Sequence, residues 1–223
     1  MVLAIATTAA QQHPVAFGFQ AGIGGSLTTG SLHDNFAGAV NFTAGLNAQW
    51  RHWVIKADVD YSQPSFNRIN MFARYDDQGR DAQINAAAHA SLVGLNVQLG
   101  HTFATSRRVS ITPATGIRWS HYSWGVNDIE WSKNDDGLDV FKIKDSHHAT
   151  LSNVNWMASV AVDIKLHDRY IADAPFTDGQ ARYTSSVRLT PWVARATFSK
   201  CTPSVSGCMV GLSLTYAGLF SRL

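Results

Sequence analysis

One stretch constrains the fold more than any other: residues 39–51, AVNFTAGLNAQWR. Val40, Phe42, Ala44, Leu46, Ala48 and Trp50 alternate with Asn41, Thr43, Gly45, Asn47, Gln49 and Arg51. A period of two is a strand with one apolar face and one polar face. The pattern recurs at about 15–27, 53–62, 87–102, 109–124, 148–166, 184–199 and 208–220. The alternate face is too wet and too charged to be a core. The apolar face is therefore expected to point outward, into lipid.

Composition fits that inversion. The chain has 223 residues, enough for one domain or one barrel. Charged residues are 15%, below the roughly 25% of soluble domains. Mean hydropathy is only −0.08, and no apolar run reaches the ~18 residues a membrane helix needs. A transmembrane barrel combines these properties, because half of each strand is polar. A soluble, lipocalin-like barrel would need the opposite arrangement, and Lys56, Asp58 and Asp163 argue against it.

The net charge of +2 gives no reason to expect nucleic acid. GSLTTG at 25–30 lacks the Lys of a phosphate-binding loop, and no cofactor is expected. Residues 1–14 read as a signal-peptide remnant cleaved near Ala10, or as an N-terminal extension, ahead of a barrel at 15–223. Cys201 and Cys208 flank Thr-Pro-Ser-Val-Ser-Gly. That spacing suits a small disulfide hairpin in an oxidising compartment; two unrelated buried thiols are the other reading.

Eight strands is an even number, as single-chain bacterial barrels require. Long connections follow the first, third and fifth strands and short ones the second and fourth. Long loops face outside the cell and short turns face the periplasm. This places 28–38, 63–86, 125–147 and 200–207 outside. Residues 167–183 break the rule as a long periplasmic connection. The fold expected is all-β: an eight-stranded, antiparallel, up-and-down transmembrane barrel. Lys56, Asp58, Asp60, Arg118, Asp163, Lys165 and Arg188 point inward, where both signs should pair. Eight strands enclose little more than their own side chains, so the expected interior is polar and plugged. A narrow water or ion path past Asp58 and Asp60 is the alternative.

With its dyad-patterned strands and the final segment 210-VGLSLTYAGLF-220, the chain resembles the small outer-membrane barrels of the OmpX and OmpA transmembrane-domain type. It differs by continuing through Ser221, Arg222 and Leu223. The resemblance implies an integral protein of a Gram-negative outer membrane, in contact with outer-membrane lipids and lipopolysaccharide. It implies a structural or surface-interaction role rather than a wide pore. Any protein partner would meet loops 63–86 and 125–147, since binding usually resides on loops held by a rigid scaffold.

One cluster suggests chemistry. His121 and Ser123 share the outward face near the outer leaflet, and Glu130 follows. A nucleophilic Ser needs a base, and the base needs a carboxylate to orient it. His121-x-Ser123 resembles the motif of PagL-type lipid A deacylases, with Trp124 where that family has Asn. The resemblance implies an ester hydrolase with Ser123 as nucleophile, His121 as base and Glu130 as orienter. With the turn centred near Thr105, His89 would face His121. His148 shares that parity, so His89, His121 and His148 form an alternative Zn²⁺ set. The bland reading is an interfacial girdle of amphipathic side chains.

Overall fold

Alternation puts the side chains of each segment on two surfaces, and strand pairing closes those surfaces into a tube. A computed structural model describes residues 15–65, 90–133, 137, 139–171, 181–198 and 205–222, with backbone alone for 126–131, 139–147 and 149. In chain order the elements are β1 (Ala16–Thr28), α1 (Ser31–Asn35), β2 (Ala39–Trp50), β3 (Trp53–Ser62) and β4 (Ser91–His101). They continue with the two-residue β5 (Phe103–Ala104), β6 (Val109–Lys133), β7 (Asp139–Ile171), β8 (Ala181–Phe198) and β9 (Val205–Arg222). The long strands pair antiparallel in the order β4-β3-β2-β1-β9-β8-β7-β6, and β4 also pairs with β6. Eight long strands thus form a closed barrel.

The faces are inverted relative to a soluble protein. Leu46 is 68% exposed while Asn47 is 7% exposed, and Ile55 is 55% exposed while Lys56 is 2%. A buried lysine beside an exposed isoleucine is stable only if the outside is lipid and the inside polar. Trp50, Trp53 and Phe103 stand exposed beside the short turns, where an aromatic girdle sits. The chain is an integral outer-membrane β-barrel. Its short turns are 51–52 and 105–108, and the end that carries them is taken as periplasmic by the rule that short turns face the periplasm.

The lumen changes character along the axis. At the outer end Leu32, Phe36, Leu92, Tyr122, Trp192, Phe198 and Met209 form a buried apolar cluster. Phe36, just past α1, stacks on Tyr122 with centroids 4.5 Å apart. The middle layer is polar and charged. The periplasmic third is open.

Two expectations change in detail. The stretch 125–147 is mostly paired strand, with β6 and β7 running on as a hairpin through Lys133↔Asp139. Much of 167–183 is also paired, through Ile171↔Ala181. Both had too little apolar alternation to read as strand, because they lie beyond the bilayer. Trp192 and Phe198 fall on the inward parity of β8, and they are buried there because the outer lumen is apolar. Residues 1–14, most of 63–86, and Cys201 lie outside the described residues.

Candidate functional site

Three regions carry side chains with chemical potential. The first is the outward cluster on β6. His121 and Ser123 do share a face. His121 Nδ1 lies 2.5 Å from Ser152 Oγ across the β6–β7 pair, and its ring stacks on Trp119 at 5.4 Å. The backbone carbonyl of Ser123 accepts a hydrogen bond from Ser91 Oγ at 3.2 Å. Glu130 pairs with Lys142, seven residues beyond Ser123. At ~3.3 Å per residue that is about 30 Å along the strand from His121. The structure therefore brings a serine to His121, but it is Ser152, and Glu130 is not brought there. Ser152 was missed because its approach depends on register, which the sequence does not display.

Of the histidine set, the two described members, His121 and His148, stand apart. His121 faces Val93. His89 lies outside the described residues. His148 pairs with Gly125, four residues along β6 from His121, or about 13 Å. Among the described residues no three His, Cys, Asp or Glu side chains are grouped to hold a metal. Cys208 lies in β9 opposite Arg195.

The second region is the middle of the lumen. Arg118, 1% exposed, grips Asp60 through Nη1 to Oδ2 at 2.5 Å and Nη2 to Oδ1 at 2.7 Å. Its Nη1 also donates to Asn96 Oδ1 at 2.9 Å, and its Nε to Ser120 Oγ at 3.1 Å. The guanidinium lies 5.3 Å from the Trp192 ring. A bidentate, fully hydrogen-bonded pair is the form in which a buried charge is tolerated. Gly94 makes room for it: a Cβ there would lie 2.5 Å from both Arg118 Cζ and Asp60 Oδ2. A second chain runs lower. Asp163 accepts from Arg188 Nε at 2.7 Å, Arg188 Nη1 reaches Gln20 Oε1, and Gln20 Nε2 reaches Asp58 Oδ1. Around Arg118 the free space is only about 40 Å³. Asn96, Gln20 and Ser120 were not singled out in the sequence, although their strand parity points them inward.

Below the membrane-spanning part, Lys165 donates its backbone N–H to Arg108 at the turn, and β7 continues to Ile171. There Arg182 clasps Asp168 through Nε to Oδ1 at 2.7 Å and Nη2 to Oδ2. Arg182 holds the Asp168 carboxyl down to a pKa of about 2.

The third region is the hairpin beyond Ser91↔Ser123, the last β4–β6 pair, and Met157↔Ala194, the last β7–β8 pair toward the outside. From Trp124 to Lys133 and back, β6 and β7 pair only with each other among the described residues. Ten residues of rise carry this arm roughly 33 Å along the strand direction.

No protein-family model matches the sequence, and none of the curated proteins matches it. Solved structures of similar shape include Ail, the attachment invasion locus protein of Yersinia pestis, seen in complex with the heparin analogue sucrose octasulfate. It is 8% identical, with 93% of this chain and 99% of that chain covered and a TM-score of 0.47. Neisserial surface protein A is 14% identical, covering 93% and 99%, with a TM-score of 0.41. The outer membrane protein OprG of Pseudomonas aeruginosa is 6% identical, covering 95% and 98%, with a TM-score of 0.44. At such identities and scores, none of them bears on what this chain does.

Proposed function

We propose that this barrel is a surface-interaction protein of the outer membrane, using the β6–β7 arm as its contact element, and that it is not a wide pore. The observation that carries this reading is the arm itself. Among the described residues, this two-stranded ribbon has no further strand on either side, which leaves backbone N–H and C=O groups along two edges without a strand partner. Such edges accept a further strand from a partner, and main-chain hydrogen bonds then supply affinity. The apolar cluster and the Arg118–Asp60 layer support a filled interior. A Cys201–Cys208 disulfide across the neighbouring outer connection belongs to the same reading.

The test compares cells carrying the full chain with cells in which 126–147 is replaced by Asn-Gly. Adhesion to immobilised extracellular proteins and glycans is measured beside detergent sensitivity. The arm's role requires adhesion to fall while detergent sensitivity stays unchanged. If only the complete absence of the protein changes either property, the role is structural and the arm is not the contact element.

A second reading, an acyl hydrolase acting on lipid A or phospholipids of the outer leaflet, rests on the His121–Ser152 contact. In that reading Ser152 is the nucleophile in place of Ser123, His121 takes its proton, and Trp119 holds the ring. Mass spectra of lipid A from expressing cells, with Ser152→Ala and Ser123→Ala beside the native chain, test it. An unchanged acyl pattern with the native protein rules it out for that lipid.

A further inference from the structure

Beneath the Arg118 layer the lumen widens into a cavity of about 580 Å³ at the periplasmic end. Seven basic side chains line it, against a single carboxylate, Asp163. Arg188 is occupied by Asp163, and Arg182 by Asp168. Lys165 has only a 3.4 Å contact with Asp168. Arg51, Lys56, Arg107 and Arg108 make no ion pair among the described residues.

Lys56 is the most telling of these. It is 2% exposed, yet it borders both this cavity and the small one above. Asp163 is held by Arg188, while Asp58, hydrogen-bonded to the neutral Gln20, keeps its charge and acts on Lys56 without contact. No carboxylate among the described residues is in ion-pair contact with the Lys56 ammonium. Such contact is what best offsets the burial of a charge, and a cavity lies beside it. Ser110 adds a hydroxyl group to the wall that can donate to an oxyanion, whereas Ser186 already donates to Asp163 and Thr102 and Thr112 bond each other.

The rim carries a second signal. Arg51 sits at the first position of the two-residue β2–β3 turn with φ 57. Glycine fits that position without strain. A residue kept in a strained conformation beside a cavity points to a use for its side chain; here that side chain is a guanidinium, which borders the cavity while lying 4.8 Å from the Trp50 ring. The volume lies within the ~300–1,000 Å³ of ordinary ligand pockets. Arginine forks match phosphate oxygens in pairs.

We propose that this vestibule is a binding site for an anion carrying two or more phosphate groups, held by Lys56 at depth and by Arg51, Arg107 and Arg108 at the mouth. Two sources present that chemistry at the periplasmic face: a soluble oligophosphate, or the headgroup of an inner-leaflet diphosphate lipid.

The experiment titrates the full chain, folded in phosphatidylcholine nanodiscs, with inorganic triphosphate by calorimetry. A parallel set of nanodiscs contains cardiolipin. The site requires saturable one-to-one binding that weakens steeply with salt. Lys56→Met, and separately the pair Arg107→Ser with Arg108→Ser, should each weaken it by about tenfold or more. The turn pair is exposed, so its folding is not at risk, and heat-dependent gel mobility verifies every variant. Triphosphate displaced by cardiolipin identifies a lipid headgroup as the source; equal binding in both discs identifies a soluble anion. Absence of saturation at about 1 mM in phosphatidylcholine discs, or equal affinity in both variants, overturns the proposal.

Discussion

Replacing Asp60 by Asn isolates the electrostatic content of the buried layer. The shape is nearly unchanged, but Arg118 loses its counter-charge. One of its two bonds to Asp60, at 2.5 and 2.7 Å, can still be accepted by the amide oxygen. Asn96, Ser120 and the Trp192 face remain. Breaking a buried pair from one side costs about 3–5 kcal/mol, because a charge is left without compensation. The retained oxygen and neutral neighbours place Asp60→Asn near the lower end, about 3 kcal/mol, or roughly a hundredfold in the folding equilibrium. Urea unfolding in lipid vesicles, followed by tryptophan fluorescence, measures it. The double variant Asp60→Leu with Arg118→Met removes both charges and should recover most of the loss. The reasoning is refuted if Asp60→Asn lies within about 1 kcal/mol of the native protein, or if the double variant is as unstable as the sum of its singles.

Other outcomes follow from the same geometry. Gly94→Val should displace the Arg118–Asp60 pair and cost about 2–3 kcal/mol in the same unfolding assay. Tyr122→Phe gives up only a 3.7 Å contact to the Met209 sulfur and should change stability by less than about 0.5 kcal/mol. Tyr122→Ala, by contrast, should cost about 3–5 kcal/mol by opening the apolar cluster. Asp168 has a pKa of about 2 in the folded protein, below its ordinary value of 3.8. Its contribution is therefore complete above pH ~4 and lost as pH falls toward ~2, and being at the surface it amounts to at most about 1 kcal/mol. Asp168→Asn should flatten that part of a stability–pH curve and leave the curve above pH ~5 parallel to the native one.

The barrel was legible because lipid and lumen impose opposite demands on alternate residues. Leu46 beside Asn47 and Ile55 beside Lys56 state those demands directly. Register was not legible. The β4–β6 turn centres two residues later than Thr105, since Ser106 Oγ accepts from the backbone N–H groups of Arg108 and Val109 and Phe103 still pairs with Ile111. That shift puts Val93, not a histidine, opposite His121. Parity named the charged lining but not which charges touch, because contacts across a lumen join strands far apart in sequence. The arm was hidden for another reason: beyond the membrane both faces of a ribbon are wet, and the dyad signal fades.

The lower lumen network also bears on time rather than stability alone. Asp163 of β7, Arg188 of β8, Gln20 of β1 and Asp58 of β3 form one connected chain. It bridges the seam where the first strand meets the last, β1 against β9. A half-zipped sheet can make the Asp163–Arg188 contact within β7–β8 and the Gln20–Asp58 contact within β1–β3, but not the Arg188–Gln20 bond, because its two ends have not yet met. That bond forms on closure and must be broken before the seam can reopen. Bonds of that kind leave the folding rate untouched and slow unfolding. The network is therefore a latch on the seam, and it keeps the closed barrel closed for long times once its first and last strands have found each other.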